Sequence, residues 1–184
     1  MSPFYTRTGD EGNTGLLGEG RVPKFDEQIE TLGAIDEATA AIGLARASAQ
    51  APQTAPLLLE VQRDLYKLMA EVGATPENAA KFRAIDESRI RWLEEQTDNL
   101  EKSTEMPREF ILPGDVPASA ALALARTIVR RAERRTVALF HIGKLENQHL
   151  LAYLNRLSSL IFMLELVENQ HAGQKSNLAK AKAT

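Results

Sequence analysis

Five stretches of this chain repeat apolar residues at helical spacing, and none shows a convincing two-residue alternation of a half-buried strand. The stretches run through Ile29, Leu32, Ala40, Gly43 and Ala47; through Leu58, Val61, Leu65, Leu68 and Val72; and through Ile90, Leu93, Thr97 and Leu100. Two more follow at Leu122, Ala125, Val129 and Ala132, and at Leu150, Leu154, Leu157, Ile161 and Leu164. Five such stripes bury themselves most simply by facing one another, so the expected fold is all-α, a five-helix bundle. In the first stripe the repeat places Asp36 where packing prefers leucine.

With 184 residues and 43% hydrophobic content, one domain with a sizeable core is expected. Its parts read as a glycine-rich segment over 1–25, a bundle over 26–170 and a flexible tail over 171–184. A net charge of −3 argues against a generic nucleic-acid binder. The chain has no cysteine, which excludes disulfides and thiolate metal sites. The N-terminus lacks the apolar core of a signal peptide and no apolar run approaches a membrane span, so the expected location is cytoplasmic, away from membranes.

Five of the eleven glycines fall between Gly9 and Gly20. Glycines this dense mark sharp turns or close approach to a ligand. The segment fails the Walker pattern, because Arg21-Val22 follows Gly15–Gly20 where Lys-Ser/Thr is required. It also lacks the third glycine of a dinucleotide-binding turn. Thr6, Thr8, Asp10 and Thr14 are interleaved with the glycines, and Arg21 and Lys24 follow; hydroxyls, backbone donors and cations suit a triphosphate. The plain alternative is an unstructured leader.

"ARTIVRRAERR" (125–135) places Arg126, Arg130 and Arg134 four apart on one helix face, flanked by Arg131 and Glu133. A solvated basic face is the ordinary reading of such a run. All five cations are arginine, however, the residue whose planar fork grips phosphate and carboxylate. Asp36 in its stripe requires a partner, and Arg126 is available; that pair alone could be no more than a lock on the bundle. Asn155, Ser158 and Phe162 share a face of the fifth helix, either lining a pocket or filling a packing gap. The proline-rich loop "STEMPREFILPGDVP" (103–117) is long enough to serve a function. His141 and His149 show no ligand pattern.

"YTRTGDEGNTGLLGEGRVPK", "LGAIDE", "FILPG", "ARTIVRRAERR" and "YLNRLSSLIF", in that order, closely resemble the PduO-type ATP:corrinoid adenosyltransferases over about residues 5–167. The resemblance implies a five-helix bundle of the ferritin-like kind, assembled as a homotrimer with active sites between subunits. It implies transfer of the 5'-deoxyadenosyl group of ATP to the cobalt of cob(I)alamin, giving adenosylcobalamin and triphosphate. ATP with Mg²⁺ and a reduced corrinoid would be the small molecules, and a reductase and a cobalamin-dependent acceptor enzyme the protein partners.

Carried over residue by residue, the resemblance assigns ATP to Thr6, Arg7, Thr8, Gly9, Thr14, Gly15 and Lys24, and to Arg130, Arg131, Glu133, Arg134 and Asn155. Glu133 would hold the metal or orient the arginines. Asp36 and Arg126 would form an intersubunit salt bridge shaping the corrinoid site. Phe110 would displace the lower axial ligand of cobalt, and Phe162 would line the same pocket. The chain departs from the family pattern at Asp115, where "LPGG" reads "LPGD", at "DEAT" (36–39), at Ala123 in place of a histidine, and at Ser159 in place of aspartate. Asp115 and Ala123 adjoin the corrinoid elements, which leaves a non-catalytic nucleotide sensor or corrinoid escort as the alternative.

Overall fold

The computed structural model describes residues 5–180. Five long helices form the bundle: α1 Glu27–Ser48, α2 Thr54–Val72, α4 Glu87–Glu101, α5 Pro117–His141 and α6 His149–His171. A one-turn helix α3, Pro76–Ala79, with a 3-10 turn at Ala80–Phe82, links α2 to α4. Helix α1 packs between α2 and α5, while α6 packs on α5, α4 and α2. The all-α bundle is as the sequence predicts.

The helix ends follow local chemistry. The Asp26 carboxylate accepts from the Gln28 amide at 2.8 Å, and Asp86 accepts from Ser88 N at 2.9 Å and Arg89 N at 3.3 Å. Pro117 opens α5, where its missing N–H costs nothing, and Gly143 at φ +74° follows its end. Inside the bundle, buried Asp64 on α2 accepts from Arg89 Nη2 on α4 at 2.6 Å and from the Tyr153 hydroxyl on α6 at 3.1 Å. Burial and the Asp64 charge hold the Tyr153 phenol well above its ordinary pKa.

Four expectations need correction. The buried face of α1 is Thr31, Ala34, Ile35, Ala38, Ile42 and Ala45, and Asp36 lies on the opposite, exposed face. Alanines and glycines make both faces of α1 almost equally apolar, so periodicity selects the wrong one. The glycine segment does contain strands: β1 Asn13–Gly15 pairs antiparallel with β2 Arg21–Pro23, each too short to show alternation. Helix α6 is 23 residues long and apolar enough by length and composition to cross a membrane. It is the core helix instead, apolar on most sides because α2, α4 and α5 surround it.

The fourth correction concerns the tail. Residues 172–180 fold back on the 103–117 loop: Leu112 N donates to Asn177 O at 2.7 Å and Ala179 N to Phe110 O at 2.7 Å. The Asp115 carboxylate accepts from Asn177 Nδ2 at 2.6 Å and from Asn169 Nδ2 at 3.1 Å. Residues 181–184 of the predicted flexible tail lie outside the described residues.

Candidate active site

The glycine segment is a ribbon pinned at one point. Leu17 N donates to Gly73 O at 2.8 Å and Thr75 N to Leu17 O at 3.2 Å, a parallel bridge to the end of α2. Gly18 sits at φ +149°, and a Cβ there would fall 2.5 Å from Thr75 Oγ1 and 2.6 Å from Asn78 Nδ2, so this contact requires glycine. Beyond the pin, Arg21 donates to the Thr8 carbonyl and, at 2.7 Å, to that of Asn13, which curls residues 5–15 over β2. Lys24 lies against Gly9: a Cβ on Gly9 would be 3.2 Å from the ammonium. Thr6 and Thr8 join hydroxyls at 2.8 Å, and Arg7 takes φ +62°. Thr6, Arg7, Thr8, Gly9, Thr14, Gly15 and Lys24 are each exposed or half-exposed.

On α5 the arginines divide into two groups. Arg131 pairs with Glu37 of α1, and Arg135 reaches Glu30 at 3.9 Å. Among the described residues, Arg126, Arg130 and Arg134 have no ion-pair partner; they are the three that share a face. Glu133 forms no ion pair with them; its Oε1 accepts from Asn155 Nδ2 at 2.9 Å. Asn155 Oδ1 accepts in turn from Arg156 Nη1 at 2.9 Å, which fixes the amide. No hydrogen bond or ion pair among the described residues joins the ribbon to Arg130, Arg131 or Arg134 within one chain. Asp36 and Arg126 also remain apart.

Phe110, Arg126 and Phe162 meet on one cavity of about 740 Å³, bordered by residues 106–111, by Pro113 and by Ala179 and Lys180 of the tail. Phe110 is 89% exposed, its ring held at the mouth by backbone pairing with the tail rather than by packing. The Arg126 guanidinium lies 5.7 Å from the Phe162 ring centroid, within cation–π range. A second groove of about 350 Å³ shares Met106, Arg126 and Phe162 with the first and extends to Arg130. Arg126 and Phe162 therefore stand between an apolar cavity and the unneutralised arginine face.

Glu165, which the sequence reading overlooks, also lines this cavity and is 2% exposed. Burial raises its pKa to about 7, Arg126 opposing and Asp115 reinforcing the shift. The signal was present: Glu165 and Glu168 interrupt the most apolar helix, and a charge there requires a reason. Glu168 has one, accepting from the Gln50 and Ala51 amides at 3.0 and 3.1 Å.

A profile of the cobalamin adenosyltransferases matches residues 4–168, and the chain belongs to that family. It is 38% identical to the corrinoid adenosyltransferase PduO of Citrobacter freundii over 179 residues, 96% of this chain and 53% of that protein. It is also 38% identical to the corrinoid adenosyltransferase of Bacillus subtilis (strain 168), over 92% of this chain and 88% of that one. The chain spans about half the length of the PduO proteins of Citrobacter freundii and Salmonella typhimurium. Its fold superposes with TM-score 0.90 and 29% identity on a variant of the PduO-type ATP:corrinoid adenosyltransferase of Lactobacillus reuteri complexed with cobalamin and ATP, covering 97% of this chain and 99% of that one.

Proposed function

We propose that the protein is an ATP:corrinoid adenosyltransferase, which transfers the 5'-deoxyadenosyl group of ATP to the cobalt of reduced cobalamin. The observation that carries this reading is the shared wall of the two cavities: Arg126 and Phe162 border an apolar chamber beside arginines that lack carboxylate partners. Cobalt(I), brought by the substrate, attacks C5' of ATP; the Co–C bond forms, the C5'–O bond breaks, and triphosphate leaves with the electron pair. No side-chain nucleophile is needed. Arg130 and Arg134, with Lys24 and the backbone donors of Thr8, Gly9 and Gly15, bind the leaving triphosphate as its charge grows.

Magnesium fits this site as a shared rather than caged ion. Glu133 offers one carboxylate oxygen beyond the Asn155 bond, and no group of three ligating side chains occurs among the described residues. Mg²⁺ is commonly bound by one carboxylate with phosphates and water, and it would supply charge neutralisation to the leaving group. A homotrimer with sites between subunits accounts for three features of the single chain: the ribbon stays unconnected to the arginine face, Asp36 is exposed, and Asp36 does not meet Arg126. In this reading Asp36 of one subunit pairs with Arg126 of the next. A reductase supplies cobalt(I), an acceptor enzyme takes the product, and the protein works in the cytoplasm.

The test is the visible spectrum of cob(II)alamin titrated anaerobically with protein and ATP, followed by reductant. A shift to the four-coordinate spectrum and then to adenosylcobalamin is expected. ATP binding without either shift would overturn the transferase reading.

A further inference from the structure

Four carboxylates are buried among the described residues: Asp64, Glu71, Glu165 and Glu168. Three are satisfied. Asp64 has Arg89 and Tyr153, Glu71 has Asn147 at 3.1 Å, and Glu168 has two backbone amides. Glu165 differs, because its Oε2 is buried without a hydrogen-bond partner. Arg126 Nε is orphaned in the same way, and both residues line the same cavity. Although opposite in charge, they do not close on each other: Glu165 projects from α6 and Arg126 from α5 without an ion pair between them. In the trimer reading the Arg126 Nη atoms serve Asp36 of the next subunit, while its Nε and Glu165 Oε2 are left unmade; leaving two such buried groups unmade is costly, so the gap points to something that fills it.

The filler must accept a hydrogen bond from Arg126 Nε–H and donate one to Glu165. A primary carboxamide does both through adjacent atoms, C=O and NH₂. A carboxylate answers Arg126 only and is repelled by ionised Glu165. Corrinoids carry primary carboxamides around the macrocycle rim. Resting on the transferase reading, we propose that Glu165 with Arg126 forms a carboxamide-reading pair on the cavity wall, and that Glu165 makes the site select corrinoids with fully amidated rims over those bearing a free peripheral carboxylate.

The charges facing Glu165 are Arg126 from α5 and Asp115 from the loop, with Arg108, Glu109 and Lys180 elsewhere on the cavity lining. Asp115 is occupied by Asn177 and Asn169, so Glu165 is the acceptor left for a ligand.

The experiment measures dissociation constants of cob(II)alamin and of its monocarboxylates, each made by hydrolysing one peripheral amide, on ATP-loaded protein and on E165Q. At pH 8 the unaltered protein should bind cobalamin about tenfold more tightly than at least one monocarboxylate. E165Q should bring that ratio to within about threefold. In the unaltered protein the preference should shrink between pH 8 and pH 6 as Glu165 takes up its proton, an arm that needs no variant. ATP affinity, read by calorimetry, should be the same in both proteins. Corrinoid binding by E165Q with an unchanged ratio, or no discrimination by the unaltered protein at pH 8, overturns the proposal. ATP binding with no corrinoid binding at all would instead remove the transferase reading, and this inference with it.

Discussion

If Glu165 is kept for a ligand, it must burden the empty protein, and the burden can be measured. An ordinary glutamate titrates near 4.5, whereas this one titrates at about 7. Each tenfold in proton affinity is worth about 1.4 kcal/mol, so ionising Glu165 in the folded chain costs about 3 kcal/mol more than in the unfolded one. The sign follows from the raised pKa. Between pH 4.5 and 7 the folded chain keeps a proton that the unfolded chain has released, so stability falls as pH rises through this window and is level above it. Glu165→Gln removes the ionisation while nearly keeping the shape. The variant should match the parent at pH 4.5 and exceed it by about 3 kcal/mol at pH 8, or roughly 6–12 °C in melting temperature for a chain of this size. Thermal melts at the two pH values, repeated in urea, decide the matter. An equal gain at both pH values would mean a packing effect, and no gain at pH 8 would mean that Glu165 already has a partner; either refutes the reasoning.

Arg130 is exposed and has no partner among the described residues. Arg130→Ala should therefore leave stability within about 0.5 kcal/mol while weakening ATP binding about 10- to 100-fold, as measured by calorimetry. Unchanged affinity would take the α5 face out of the ATP site. Asp115→Gly should loosen the tail, which keeps its two backbone pairs, by deleting the bond to Asn177 and the support from Asn169 of α6, a local loss of about 1–2 kcal/mol. Hydrogen exchange at residues 174–180 should quicken accordingly, and exchange at the parent rate would refute the clamp.

The long helices were legible because burying a helix demands the 3.6-residue repeat that Leu58, Leu65, Leu122 and Leu150 keep. The facing of α1 was not, since Ala40 and Ala47 imitate core residues as well as Ala38 and Ala45 do. Nothing in the sequence physics placed Phe110, Arg126 and Phe162 together; only the order of the motifs did, and the cavity they line comes from tertiary packing. The tail escaped notice for a similar reason. "GQKSNL" is polar and reads as loose, yet Asp115, distant in sequence, supplies the acceptors that hold it.

If the glycine ribbon binds ATP as proposed, the bridge between Leu17 and Ala74 also bears on the thermodynamics of nucleotide capture. A free leader of some fifteen residues would lose about 1–2 kcal/mol of backbone entropy for each residue ordered on ATP. Here β1 and β2 are already paired, Arg21 already braces the turn, and Leu17 already pins the ribbon. In the proposed ATP site, the ribbon that meets the triphosphate is therefore folded before the nucleotide arrives. Binding there orders few new residues and buries little new apolar surface, so capture should carry only a small heat-capacity change, the signature of docking rather than of coupled folding.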